Sequence, residues 1–211
     1  MDDLLKTIYD GVVNGEQKTV TSGVQAALDS GIDAATILNQ GMIPAMAHVG
    51  HQFECGEYFV PEMLIAARAM KSGLQLLRPA LIAANVQAIG KVVLGTVQGD
   101  LHDIGKNLVA MMLEGAGFEV IDLGVDVPPQ KFVDAIKQHH PQFVGLSALL
   151  TTTMPKMKTT IEAMKDAGVR SNVKIMIGGA PVTVRYADEI GADIFAPDAG
   201  TAARRAKESL T

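Results

Sequence analysis

Up to about residue 88, apolar positions recur every three or four residues and no run alternates as a half-buried strand would. The helical stretches break at Gly15, at Gly31 and across the segment from Gly56 to Pro61. The last of them, from Pro61 onward, places Leu64, Ala67, Met70, Leu74, Leu77 and Leu81 on one apolar stripe, and Pro61 suits its first turn. Stripes of this kind pack against one another, so residues 1–88 are predicted to form an all-α helical bundle. From Ile89 the rhythm changes. Short β-rich runs bounded by Gly, Pro or Asp begin at Lys91 (KVVLGTV), Phe118 (FEVIDLG), Gln142 (QFVGLSALL), Val173 (VKIMIGG) and Asp193 (DIFAP). They alternate with helical stretches over 103–114, 129–138, 153–167, 182–190 and 200–210. Residues 89–211 are therefore predicted to form an α/β flavodoxin-like (Rossmann-like) domain, a five-stranded parallel sheet covered by helices on both faces. The segment from Ala83 to Gly90 reads as the linker.

Composition sharpens this picture. Hydrophobic residues make up 48% of the chain but aromatic residues only 4%, with no Trp and eleven Met, so aliphatic side chains and methionine must fill the interior. The formal charge is -5, from 18 basic and 23 acidic residues, and no Lys or Arg run could track phosphates; nucleic acid is excluded as an expected partner. The N-terminal MDDLLKTIYD is acidic where a secretory signal needs positive charge, and no apolar stretch reaches the roughly 18 residues of a membrane span. A cytoplasmic protein without a membrane partner is expected. The single cysteine, Cys55, rules out an internal disulfide framework and a Cys-based zinc site, and reads as a small packed residue.

In open parallel sheets, ligands bind beyond the carboxyl ends of the strands. Four loops fall there, and their content is small or hydroxylic: Gly99, Gly105, Ser147, Thr151 to Thr153, Gly178, Gly179 and Ala180. A bulky ligand could approach such backbone closely. The loop after the first strand is no P-loop, because five residues separate Gly99 from Gly105 and Asn107, not Ser or Thr, follows Lys106. Its Asp100 and His102 lie two residues apart and can hydrogen-bond, an arrangement that suits a metal-ligand histidine.

The run Asp100-Leu101-His102-Asp103-Ile104-Gly105 resembles the DxHxxG signature of cobalamin-binding domains. Ser147, Leu149 and Thr151 match the SxLxT pattern of those domains, and Gly178-Gly179 their later glycine pair. The segment VGHQFECGEYFVPEMLIAARAM, from Val49, resembles the helical cap before the corrinoid domain of methionine synthase. Stand-alone corrinoid proteins of methanol, methylamine and aryl-methyl-ether methyltransferase systems share this two-part layout. The resemblance implies a helical cap over residues 1–88 and a cobalamin-binding domain over 89–211. It implies a methyl carrier, not catalytic on its own, whose cobalamin or related corrinoid cycles between Co(I) and methyl-Co(III). Its expected partners are a donor-specific methyltransferase, an acceptor methyltransferase using a folate or a thiol, and a reductive activase.

The resemblance also distributes roles. The corrinoid would bind with its lower base displaced and His102 ligating cobalt. Gly145 and Gly179 would leave room for the nucleotide tail, and Ser147 would hydrogen-bond its base. Asp100 and then Thr153 would continue a relay from the histidine. Thr153 stands where the family often has Ser, and ordinary helix N-capping is its alternative role. Phe59, Val60 and Met63 of the cap would cover the upper face, with bundle core as their alternative. His51, Glu54 and Glu57 read as surface. Two rival functions share the signature: a small subunit of an adenosylcobalamin-dependent mutase, which the cap argues against, and a corrinoid-sensing DNA-binding regulator, which the acidic balance argues against.

Overall fold

A computed structural model describes residues 2–210. The chain divides into two compact units, Met1–Ala88 with Gly115–Gly117, and Ile89–Glu114 with Phe118–Thr211.

The first unit is helical: α1 (Asp3–Val13), α2 (Gln17–Asp29), α3 (Ala34–Thr36), α4 (Ile43–Glu54) and α5 (Val60–Ala83). Its helices stop at the expected glycines. At Gly15, φ is 72°, Glu16 N–H reaches back to Gly11 C=O and Gly15 N–H to Val12 C=O, the Schellman pattern that a left-handed residue closes. Asp2 and Asp33 cap α1 and α3 by accepting the N–H groups of Leu4 and Thr36. Between α3 and α4 the chain stays helical but widens to a π turn over Ile37–Met42, with Ile43 N–H donating to Leu38 C=O. Pro44 follows at once and has no N–H for the ordinary ladder, so the wider turn falls where the α pattern must be broken anyway.

Helix α5 begins as expected, with Pro61 in its first turn and the Glu62 carboxylate accepting Phe59 N–H at 3.0 Å. Its buried line differs from the predicted stripe. Met63, Ala66, Met70, Gly73 and Leu77 are buried, whereas Leu64, Leu74 and Leu81 are only half-buried. A Cβ on Gly73 would lie 2.7 Å from both Met42 Cε and Val20 Cγ1, so neighbouring side chains close on α5 where it carries a glycine. Cys55 is exposed, not packed: it occupies the C-cap of α4, beside Gly56, with its Sγ 3.7 Å from His51 Nε2.

The second unit alternates strands and helices: β1 (Lys91–Thr96), α6 (Ile104–Gly115), β2 (Glu119–Asp122), α7 (Pro129–His139), β3 (Phe143–Ser147), α8 (Pro155–Asp166), β4 (Lys174–Gly178), α9 (Val184–Ile190), β5 (Ile194–Phe195) and α10 (Ala199–Glu208). The five strands are parallel, in the order β2-β1-β3-β4-β5. Right-handed crossovers then put α7, α8 and α9 on one face and α6 on the other. The first face holds the main core, where Val93, Val144, Leu146, Ile175 and Ile177 meet Phe132 and Ile136 of α7, Ile161 and Met164 of α8, and Ile190 of α9. By strand alternation, Leu94, Thr96, Gly145, Ser147, Met176 and Gly178 face the opposite side. Among the described residues, no helix is long and apolar enough to cross a membrane.

Candidate functional site

From β1 the chain crosses to β2 on one side, while β3 lies on the other, so the loops after β1 and β3 diverge at a topological switch point. Asp100 and His102 sit on the first of these loops, and Thr153 ends the second. Asp100 is fully buried, at 0% exposure. Its Oδ1 accepts His102 Nδ1 at 2.7 Å and His102 N–H at 3.1 Å. Its Oδ2 accepts the Thr153 hydroxyl at 2.6 Å and the N–H groups of Leu149 at 2.8 Å and Leu150 at 3.4 Å. Burial alone would raise the carboxyl pKa, but the hydrogen bonds from Thr153, His102 and Leu149 outweigh it and hold the group well below the usual carboxylate range.

An ionised carboxylate only accepts, so the hydrogen between the pair sits on His102 Nδ1, and Nε2 is the ring nitrogen left for a ligand. Nε2 has no hydrogen-bond partner among the described residues, and the His102 side chain is 49% exposed. The imidazole is thus oriented from within and open at the sheet edge. Thr153 does not cap α8. Met154 takes the cap position, no side chain caps that helix, and the Thr153 hydroxyl turns to Asp100, with Leu150 C=O also in reach at 2.9 Å.

Around His102 lie Leu101 at 71% exposure, Ile104 at 75%, and the exposed Leu149 and Leu150, an apolar rim on an otherwise polar edge. Gly99, Asp103, Gly105, Thr151 and Ala180 are exposed on the neighbouring loops. At the end of β4, Gly179 has φ of 134°, and a Cβ there would overlap the Ala148 carbonyl oxygen, so only glycine fits. A Cβ on Gly145 would collide with Leu94 Cδ2, so the room this glycine leaves is occupied by its neighbour on β1. Ser147 is half-buried at the end of β3, and its hydroxyl has no partner among the described residues. In the helical unit, Phe59 and Val60 are exposed and Met63 is buried.

Sequence reading passed over Thr96, which is fully buried and donates its hydroxyl to His102 C=O at 2.9 Å. A lone hydroxyl in an otherwise apolar strand was the available signal. It also passed over Asp126, whose carboxylate accepts Gly99 N–H at 2.7 Å, and over the buried Lys106 paired with Asp122.

Asp100→Asn is expected to lower stability by about 2 kcal/mol or more at neutral pH, because an amide replaces an acceptor that several donors face. The folded carboxyl lies below its ordinary 3.8, so its contribution is present above that value and fades as pH falls through the folded one. Denaturant titrations should show the two proteins converging as the pH drops below about 4. A gap that stays constant with pH would mean that the charge of Asp100 contributes nothing.

Two family models, each described as a B12 binding domain, match residues 90–206 and 4–78. Dimethylamine corrinoid protein 1 of Methanosarcina acetivorans is 42% identical over 210 residues, covering 99% of this chain and 98% of the relative. The chain belongs to the B12-binding corrinoid proteins. Among solved structures, a cobalamin-binding protein from Desulfitobacterium hafniense superposes with a TM-score of 0.82 at 33% identity, covering 97% of each chain. A corrinoid protein fold is also found in the methanol:cobalamin methyltransferase complex of Methanosarcina barkeri, which matches with a TM-score of 0.88 at 28% identity, over 99% of this chain and 80% of that one. The residues present fit a corrinoid. Among the described residues no group of three or more His, Cys, Asp or Glu could hold a bare metal ion. A single oriented imidazole suffices only for a metal whose remaining positions a cofactor fills, and an exposed apolar rim suits a macrocycle.

Proposed function

We propose that the chain is the methyl-carrying corrinoid subunit of a multi-component methyltransferase system, with His102 as the lower ligand of cobalt. The observation that carries this is the imidazole itself: Nδ1 tied to a buried carboxylate, Nε2 free, and an apolar rim around it. When bound, the corrinoid supplies a cobalt centre nucleophilic enough to take a methyl group from one partner and yield it to another. The protein's own part is positioning. Asp100 fixes the tautomer and direction of His102, Thr153 secures Asp100, and Gly179 keeps the backbone low beside the unpartnered Ser147 hydroxyl, where the displaced base would be held. Phe59 and Val60, exposed at the start of α5, would shield the upper face, whereas the buried Met63 packs the bundle core.

A donor-specific and an acceptor methyltransferase would act on the carrier in turn, with a reductive activase restoring oxidised cobalt; the amine-linked names of the relatives favour a methylamine as the donor. The test is to load the full chain with hydroxocobalamin, reduce it, and supply methylamines or methanol, each with a matching methyltransferase. Methylation of the bound cobalt, followed by absorbance, is expected only in the presence of a partner enzyme. Failure of the full chain to retain cobalamin through gel filtration would overturn the reading.

A further inference from the structure

The loop carrying Asp100 and His102 is gripped from a second side, by residues that ligand chemistry alone does not call for. The segment after β2 reads Gly124-Val125-Asp126-Val127, and Asp126 adopts φ of 52°, a left-handed conformation that non-glycine residues seldom take. Its carboxylate accepts Gly99 N–H at 2.7 Å, and its own N–H donates to Asp100 C=O at 2.9 Å. Asp126 therefore holds both ends of the Gly99–Asp100 unit, one with an acceptor and one with a donor. On either side of it, Thr96 N–H donates to Gly124 C=O and Val127 N–H to Thr96 C=O, so 124–127 runs alongside the end of β1. The base of this segment is fixed in turn. Asp122 accepts Gly124 N–H at 2.9 Å and pairs with the buried Lys106 ammonium, which also donates to Asn107 at 2.8 Å. Lys106 lies in the first turn of α6, just past the loop, so the loop is tied to the end of β2 at its middle and at its exit.

Two constraints thus meet on Asp100. Its carboxylate is set from the β3 side by Thr153 and Leu149, and its backbone from the β2 side by Asp126. We propose that Asp126 is a positioning residue for the cobalt ligand: by fixing the backbone on both sides of the Gly99–Asp100 pair, at Gly99 N–H and Asp100 C=O, it sets the direction in which Asp100 presents Oδ1 to His102, and so the pose of the imidazole. This rests on the reading that His102 ligates cobalt.

Three full-length variants separate the hydrogen bond from the backbone. Asp126→Gly keeps the left-handed conformation accessible and loses the acceptor. Asp126→Asn keeps a side-chain oxygen and tolerates the conformation. Asp126→Ala loses both. In the corrinoid-free protein, amide exchange at Gly99 should accelerate in Asp126→Gly and Asp126→Ala and stay slow in Asp126→Asn. After loading with cobalamin and reduction to Co(II), electron paramagnetic resonance should show a mixed population in Asp126→Gly. This corresponds to about tenfold weaker histidine ligation, the low end of what outer hydrogen-bond partners of a metal ligand contribute. Asp126→Asn should restore the wild-type spectrum. A purely structural role would shift the melting temperature without changing the spectrum. If the wild type shows histidine nitrogen splitting and Asp126→Gly shows the same spectrum and reduction potential, this inference alone is overturned. If the wild type shows no such splitting, the ligand reading falls and this inference with it.

Discussion

His102→Ala is expected to abolish the histidine nitrogen splitting in the Co(II) spectrum of the cobalamin-loaded protein. Even the outer hydrogen-bond partners of a metal ligand contribute about 10- to 100-fold in affinity, so removing the ligand itself should cost on the order of 100-fold or more in cofactor retention. The fold should lose only the bond from the ring to Asp100. The His102 side chain is half-exposed, and no other group depends on its ring except Asp100, which keeps its bonds from Thr153 and Leu149. The unfolding free energies of the cofactor-free forms should differ by no more than about 1.5–3 kcal/mol, the size of one hydrogen bond to a charged group. A splitting that survives the substitution would assign the lower ligand elsewhere.

Gly179→Ala should do the reverse, damaging the fold first. At φ of 134° an L side chain is strained, and the new Cβ would press on the Ala148 carbonyl, which belongs to the turn that presents Leu149 and Leu150 to Asp100. Strain of this kind costs about 1–3 kcal/mol before the clash is counted. A combined loss of about 3 kcal/mol or more would lower the melting temperature of the 211-residue protein by at least about 6–12 °C. Gly178→Ala is the control: its Cβ would meet only the Ala196 carbonyl, at 3.0 Å, without positive φ. Equal melting temperatures for the wild type and Gly179→Ala would show that the loop after β4 can shift freely.

The helix stops and the succession of strands and helices were legible because they rest on local chemistry: glycines at left-handed caps, and continuous apolar runs for strands buried on both faces. Strand ends were not. The run QFVGLSALL overreached, since β3 ends at Ser147 and the following Leu149 and Leu150 are exposed on the loop. Apolar residues placed for a ligand look the same in sequence as apolar residues placed for a core. Likewise DIFAP holds only the two-residue β5. The stripe on α5 was misaligned because size alone cannot reveal where helices approach closely, as at Gly73. The Asp100–His102 bond followed from spacing, but the turn of Thr153 toward Asp100, fifty-three residues away in sequence, depends on how the two loops meet. Asp126 acts on main-chain groups, and such bonds leave no pattern of residue types to read.

Of the five hydrogen bonds that the Asp100 carboxylate accepts, three come from the main chain, at His102, Leu149 and Leu150. Main-chain donors are supplied by every residue except proline. The side chains at 149 and 150 are therefore free to drift, fitting the rim to a different macrocycle periphery or a different partner surface, while the carboxylate behind them keeps its place. Position 153 must keep only a hydroxyl, so serine and threonine are interchangeable there. The ligand-orienting apparatus is thereby insulated from the divergence of its own surroundings, and new specificities can arise around it without retuning the metal.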